Sequence, residues 1–537
     1  MRERAILNNV AKAIECKNKR LSADVGLPHV RRWRGFALAV LSYVIFLRFV
    51  FLGTLNLLPE EAYYWNYAQH LDIGYLDHPP MVAWMIWVAT KLGGNTEFAV
   101  RIGASLSWLV AAFFCFRLTR NLYGEIAPFV ALVMFCTLPF FFATGLLMTP
   151  DAPLTAAWSG ALFFLERAII GERRAAWLGV GLCMGFGMLS KYTIALLGPA
   201  TLLFLLLDPG LRRWLWQPWP YMAAAIAVAV FSPVVIWNAL HDWASFSFQG
   251  PQRLEQPMRF SLPILMGSLV VLLTPVGLIA VSRTLFARSG ADGSWLADRR
   301  NWLADRRNAF AAIYTLVPLS VFIFFSLFHE VKLNWSGPVW LAILPALAAR
   351  LVRRDPTSAG VVSRRSWLVT VAVALLIYGG SLHYFVRGLP GVSPSISMSL
   401  GIVPIGWKEF GAEVGKIAAA IESSTGTEPL RVGMDRYSLS SEVAFYDPDQ
   451  DAVRNSAGRS LFGFDSLMYE LWFPPALEKG REIILVSRWS GGAIANKSLL
   501  KRFRTLGPIQ ERIVHKGSTP VARFFWRIGY DYKPNEP

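Results

Sequence analysis

Residues 59–80 read PEEAYYWNYAQHLDIGYLDHPP, a polar stretch between an apolar run at 35–57 and a second long apolar region. Two adjacent carboxylates, Glu60 and Glu61, open it. Asp77 and His78 stand near its end, immediately before Pro79 and Pro80. Tyr63, Tyr64, Trp65 and Tyr75 lie between, and aromatic side chains of this kind gather at membrane–water interfaces. Two readings are open: a solvated loop with ordinary aromatic anchors, or the catalytic loop of a membrane enzyme held against the outer face of a bilayer.

The composition favours the second. Of 537 residues, 54% are hydrophobic, 14% aromatic and 17% charged, against about 25% charged in soluble globular domains. Mean hydropathy is +0.39. This is the composition of a multi-pass membrane protein. A net charge of +17 raises nucleic acid as a partner, but the placement of the charges argues against it. Residues 1–34 form a basic tail with nine Lys or Arg, read as a cytoplasmic extension. Without an early apolar core, it does not read as a cleavable signal peptide. Cys16 lies in this tail, and Cys115, Cys136 and Cys183 lie in apolar runs, so no disulfide framework is expected.

Apolar runs follow near 35–57, 98–118, 125–145, 152–170, 175–190, 192–207, 219–239, 262–282, 309–328, 335–349 and 367–386. Several are shorter than the usual span of about twenty residues. With the N-terminus in the cytoplasm, the inner loops collect arginines such as Arg117, Arg120, Arg173, Arg174, Arg212 and Arg213, and the groups from Arg283 to Arg307 and Arg350 to Arg365. The outer loops hold only Lys91, Lys191, Arg253, Arg259 and Lys332. This is the positive-inside pattern. It accounts for the net charge and puts the first outer loop, 58–97, outside. WLADRRN occurs at 295–301 and again at 302–308. It reads as a local duplication, too short for a repeat architecture.

After Tyr384 the pattern changes. Lys408–Ser423 reads as an amphipathic helix, Leu430–Met434 and Glu482–Val486 as buried strands, and Arg512–His515 with Val521–Trp526 as a hairpin around KGST. The expected fold is therefore mainly α. A polytopic transmembrane helix bundle of about eleven spans covers 35–390, and a soluble α/β domain at 400–537 lies outside.

Polar residues at membrane depth are costly and mark function. In this topology they collect at the outer face: Glu60, Glu61, Asp77, His78, Arg101, Asp151 in MTPDAPL, Lys191 in LSKYT, His241 and Asp242, and His329, Glu330, Lys332 and Asn334 in HEVKLNW. Each alone reads as a cap or solvated turn, and Asp151 after Pro150 reads as a helix cap. Together they suit a lipid-linked anionic substrate. A phosphate leaving group needs Lys or Arg, and an acceptor hydroxyl needs a carboxylate base. Lys191, Arg101 and Lys332 are the candidate phosphate ligands. No cofactor is required, although Asp77 with His241 and His329 is a candidate site for a divalent metal ion. Arg48, inside the first span, is an exception to the outer clustering.

PEEAYYW followed by GYLDHPP resembles the first outer loop of the GT-C glycosyltransferases, in particular the bacterial family 39-like group related to protein O-mannosyltransferases and lipid A aminoarabinose transferases. MTPDAPL, LSKYT and KLNW are similar to that group's later outer-face motifs. The resemblance covers roughly 35–350. It implies a polyprenyl-phosphate sugar donor, a bacterial inner-membrane location and a periplasmic active site. The acceptor would be a hydroxyl on a cell-envelope glycolipid, polysaccharide or protein. It places the catalytic base at Glu60, where the family usually has Asp, with Glu61 beside it. Asp151 takes the second acidic position, and Asp77 and His78 lie near the donor phosphate, with Tyr64 and Asn334 among the substrate-binding residues. The alternative function is a transporter or flippase of lipid-linked sugars, which typically places its charges near the midplane and shows internal repeats. A structural subunit with a periplasmic interaction domain is a third reading, and it leaves the acidic cluster unexplained.

Overall fold

The computed structural model describes residues 30–286, 305–352, 363–387, 404–449 and 451–534. The basic tail up to residue 29, most of the WLADRRN duplication and the junction expected at 390–400 lie outside the described residues. Each of the eleven expected apolar runs carries helix. Six helices are long and apolar enough to cross a membrane: α1 (Val30–Phe51), Glu97–Tyr123, Pro218–Leu240, Leu262–Phe286, Arg306–Ser326 and Arg364–Arg387. The other runs are built from shorter pieces. Ala127–Thr137 and Pro139–Thr144 are separated at Leu138, which takes an extended conformation (ψ 131°) before Pro139, as a residue preceding proline prefers.

The stretch that opens the chain's polar region is not a plain loop. Pro59–Gln69 forms a helix, α2. Proline occupies its first position, two acids fill its first turn, and Glu61 accepts a hydrogen bond from Leu58 N at 3.1 Å. These are ordinary helix-start devices. A second helix, α3 (Met81–Gly93), follows the double proline and leads into α4 (Glu97–Tyr123).

The C-terminal part is a six-stranded sheet with helices. Strands β1 (Leu430–Gly433), β2 (Ser456–Gly458), β3 (Ile483–Ser487), β4 (Phe503–Leu506) and β6 (Thr519–Tyr532) run in the order β2-β1-β3-β6-β4, and β5 (Gln510–Lys516) also pairs with β6. The β1 pairings with β2 and β3 are parallel, and every β6 pairing is antiparallel. β1 and β3 are buried along their whole length, as strands covered on both faces are. The expected amphipathic helix is Trp407–Thr425, and the expected hairpin is β5–β6. This domain sits directly on α2. Leu57 N donates to Tyr446 Oη at 2.7 Å, Trp407 N to Asn56 Oδ1 at 3.2 Å, and Met468 N to Tyr63 Oη at 3.2 Å. The His70 ring stacks on Trp472 at 4.4 Å.

Candidate active site

The adjacent carboxylates Glu60 and Glu61 point to different surroundings. Glu61 is fully buried. Its Oε1 accepts from Arg101 Nε at 2.9 Å and Met148 N at 3.0 Å, and its Oε2 accepts from Arg101 Nη2 at 2.6 Å as well as from Leu58 N. Arg101 spends its remaining donors on the carbonyls of Leu52, Leu55 and Asn56 at 2.7–3.1 Å. All five guanidinium N–H groups are thereby used. The pair ties the chain just past α1 to α2, α4 and the turn at Met148. Neither the expected catalytic part for Glu61 nor the expected phosphate-holding part for Arg101 fits this enclosure, which leaves no donor or acceptor for a substrate. Arg48 is likewise structural. It donates to Gly145 O at 2.9 Å and Phe142 O at 3.1 Å and lies 3.9 Å over the Trp108 ring, covering carbonyls at the end of a short helix.

Asp151 opens helix Asp151–Leu165 but is not its cap, which is Pro150. Instead Oδ1 takes Lys191 Nζ at 2.9 Å and Oδ2 takes Asn334 Nδ2 at 2.5 Å. Segments from three turns expected on one membrane face therefore meet on one carboxylate.

Asp77 is buried and accepts from the hydroxyls of Tyr63, at 3.1 Å, and Tyr67. Burial holds its carboxyl above the usual range, against the opposing effect of those two hydroxyls. The Tyr64 ring lies 5.6 Å from the His78 ring. Burial raises the Tyr64 phenol well above its ordinary range, and the charges of Asp77, Glu60 and Asp151 around it add to the rise. Burial keeps His78 neutral, helped by the nearby cations Lys191, Lys332 and Arg253. Glu60, Tyr64, Asp77, His78, Asp151, Lys191, Arg253, Lys332 and Asn334 thus form one polar cluster.

Two cations in it have no ion pair among the described residues: Lys332 and Arg253. Arg253 lies 5.2 Å over the Trp335 ring. Arg253 had no candidate role in the sequence, although it belongs to the few basic residues of the outer loops, and that scarcity was the available signal. Tyr437, whose hydroxyl donates to Glu60 Oε1 at 3.4 Å, gave no sequence signal at all, because it comes from the soluble domain.

The candidate metal set is not assembled. Among the described residues there is no group of three or more His, Cys, Asp or Glu able to hold a metal ion. His241 stacks on Trp237 at 4.1 Å with Nδ1 2.8 Å from Trp237 O, and His329 packs on Phe325 at 4.9 Å. Asp77 is occupied by its tyrosines.

Residues 77–237 match a family model described as dolichyl-phosphate-mannose-protein mannosyltransferase. The lipid A galacturonosyltransferase RgtD of Rhizobium johnstonii is 31% identical over 192 residues, 34% of this chain and 38% of that protein. The undecaprenyl phosphate-alpha-4-amino-4-deoxy-L-arabinose arabinosyl transferase 2 of Proteus mirabilis is 29% identical over 141 residues, 25% of each chain. These matches span only a quarter to two-fifths of the relatives' length. The crystal structure of ArnT from Cupriavidus metallidurans bound to undecaprenyl phosphate superposes on 92% of this chain and 98% of its own, with a TM-score of 0.61 and 16% identity. At that identity the likeness establishes the fold, and the GT-C fold expected from the loop motifs is the fold of this chain.

Proposed function

We propose that this GT-C-fold chain is an inner-membrane glycosyltransferase. It moves a sugar from a polyprenyl-phosphate donor to a hydroxyl of lipid A or the lipopolysaccharide core, at the periplasmic face. The observation that carries the reading is the polar cluster beside α2, where the half-buried carboxylate of Glu60 lies near two cations without an ion pair among the described residues, Lys332 and Arg253. Glu60 takes the proton of the acceptor hydroxyl as that oxygen bonds to the anomeric carbon with inversion. The bond from that carbon to the phosphate oxygen breaks, and its electron pair stays on the phosphate. The polyprenyl phosphate leaves with one more negative charge, which Lys332 and Arg253 stabilise where it develops. The arginine asymmetry of the loops supports the periplasmic orientation.

Charge also bears on the sugar. Of the cluster's carboxylates, Asp151 is ion-paired with Lys191 and bonded to Asn334, while Glu60 and Asp77 accept only from tyrosine hydroxyls among the described residues. A sugar carboxylate would find the unpaired cations Lys332 and Arg253 there. That pair of cations supports an acidic sugar, such as the one RgtD is named for, over an amino sugar. Purified protein incubated with lipid A and labelled undecaprenyl-phosphate sugars, one acidic and one amino, tests both points. Release of undecaprenyl phosphate only when acceptor is present is the expected result, and preference for the amino sugar would remove the acidic-sugar reading.

A further inference from the structure

Tyr437 belongs to the soluble domain, at the residue before helix Ser438–Tyr446, yet its side chain reaches the first turn of α2. Its ring lies 4.7 Å from the Tyr63 ring at an interplanar angle of 35°. Tyr63 is itself fixed, donating to Asp77 and accepting from Met468 N. The turn that projects Tyr437 is closed from behind, where Asp435 Oδ1 accepts from Leu439 N at 3.1 Å and the Asp435 carboxylate pairs with Arg488 at 3.3 Å. Helix Ser438–Tyr446 packs along α2 and is pinned at its far end by the Tyr446 hydroxyl on Leu57 N. The phenol is thus held by rigid elements on both sides.

Glu60 accepts no other side-chain hydrogen bond among the described residues. A half-buried glutamate on a helix's first turn has several staggered rotamers open to it, and only some present an oxygen to an incoming hydroxyl. We propose that Tyr437 is the positioning residue for the base. Its O–H engages one oxygen of Glu60, holds the carboxylate in the polar cluster and leaves the second oxygen for the acceptor. The separation of 3.4 Å is long, as catalytic hydrogen bonds are before substrate closes the site. The soluble domain is then a part of the active site, which the base and its orienting group enter from segments 377 residues apart. This inference rests on the reading of Glu60 as base.

Tyr437→Phe keeps the ring against Tyr63 and removes only the hydroxyl. The expected result is a fall in kcat of about ten- to a hundredfold, the size of a hydrogen bond to a charged group, with donor KM and the thermal midpoint in detergent unchanged. Tyr437→Ala, which also loses the ring contact, lowers the thermal midpoint as well. Wild-type kcat in Tyr437→Phe overturns the proposal. So does a loss of kcat matched by a fall in thermal midpoint in the same variant, which makes the hydroxyl a packing element. If the wild-type protein releases no polyprenyl phosphate with any acceptor, the glycosyltransferase reading fails and this inference with it. Turnover in the wild type with an unaffected Tyr437→Phe variant rejects the inference alone.

Discussion

Lys191 Nζ lies 2.9 Å from Asp151 Oδ1, and the two side chains are only 13% and 5% exposed. With Asn334 on its other oxygen, Asp151 has a partner on each of its two carboxylate oxygens. It joins the start of one helix to Lys191 and to Asn334, two residues beyond Lys332. On the proposed function, Lys191, paired with Asp151, brings little net charge to a donor phosphate, which leaves Lys332 and Arg253 as the proposed phosphate-holding cations.

Glu60→Gln should therefore fold and bind donor normally and lose about 10²–10⁴-fold in kcat, the usual worth of general-base assistance. Asp151→Asn should cost less in kcat and lower the thermal midpoint, because an amide NH2, a donor, replaces one of two carboxylate oxygens that accept hydrogen bonds. Steady-state rates and thermal melts of both variants in detergent check this. The opposite ranking would make Asp151 the base.

The spans and the β5–β6 hairpin were legible because each signal is local: an apolar run of sufficient length, or two alternating runs around KGST. The gathering of Glu60, Asp77, Asp151, Lys191 and Lys332 was legible too, since alternating spans place their segments at one end of the bundle. The partners within the cluster were not. Glu61 and Arg101 are 40 residues apart, as are Asp151 and Lys191, and only the packing of the bundle decides which cation meets which carboxylate. Equal outer placement made Lys191, Arg101 and Lys332 look interchangeable, yet their partners make them different: Lys191 is paired with Asp151, Arg101 is saturated, and Lys332 has no ion pair among the described residues. The helix at 59–69 carried a readable start signal in Pro-Glu-Glu, which its four aromatic residues disguised as interface loop.

Arg101→Ala should unfold or strongly destabilise the protein. Removing one partner of an enclosed ion pair costs about 3–5 kcal/mol, because the other is left buried and charged. Here the carbonyls of Leu52, Leu55 and Asn56 also lose their donors. Chemical denaturation in detergent micelles is the measurement. A variant as stable as wild type that has lost donor binding would return Arg101 to the phosphate site.

The orientation of the chain is checked by single cysteines at exposed positions, Ser498 on the soluble domain and Glu125 in the first inner turn. A membrane-impermeant maleimide applied to intact spheroplasts should label Ser498→Cys at once and Glu125→Cys only after lysis. The reverse pattern would place the polar cluster in the cytoplasm and end the periplasmic reading.

Donor binding should weaken at alkaline pH through Lys332. Burial is the main cause that lowers its ammonium below the usual lysine range, and the neighbouring Arg253 and Lys191 lower it further. The charged form is the one that attracts phosphate, and a lowered pKa means that the proton is lost sooner as pH rises. Affinity is therefore full below that pKa and falls as pH climbs through it, while Arg253 stays charged. Lys332→Arg carries a group that does not deprotonate in proteins, so it should bind donor with the alkaline loss removed. Lys332→Ala should bind about ten- to a hundredfold more weakly at neutral pH, as expected for a lost charged hydrogen bond, and should show no alkaline loss of its own. Equilibrium binding of undecaprenyl phosphate across pH 6–10 separates these outcomes. An alkaline loss of equal size in wild type and Lys332→Arg would show that another group titrates.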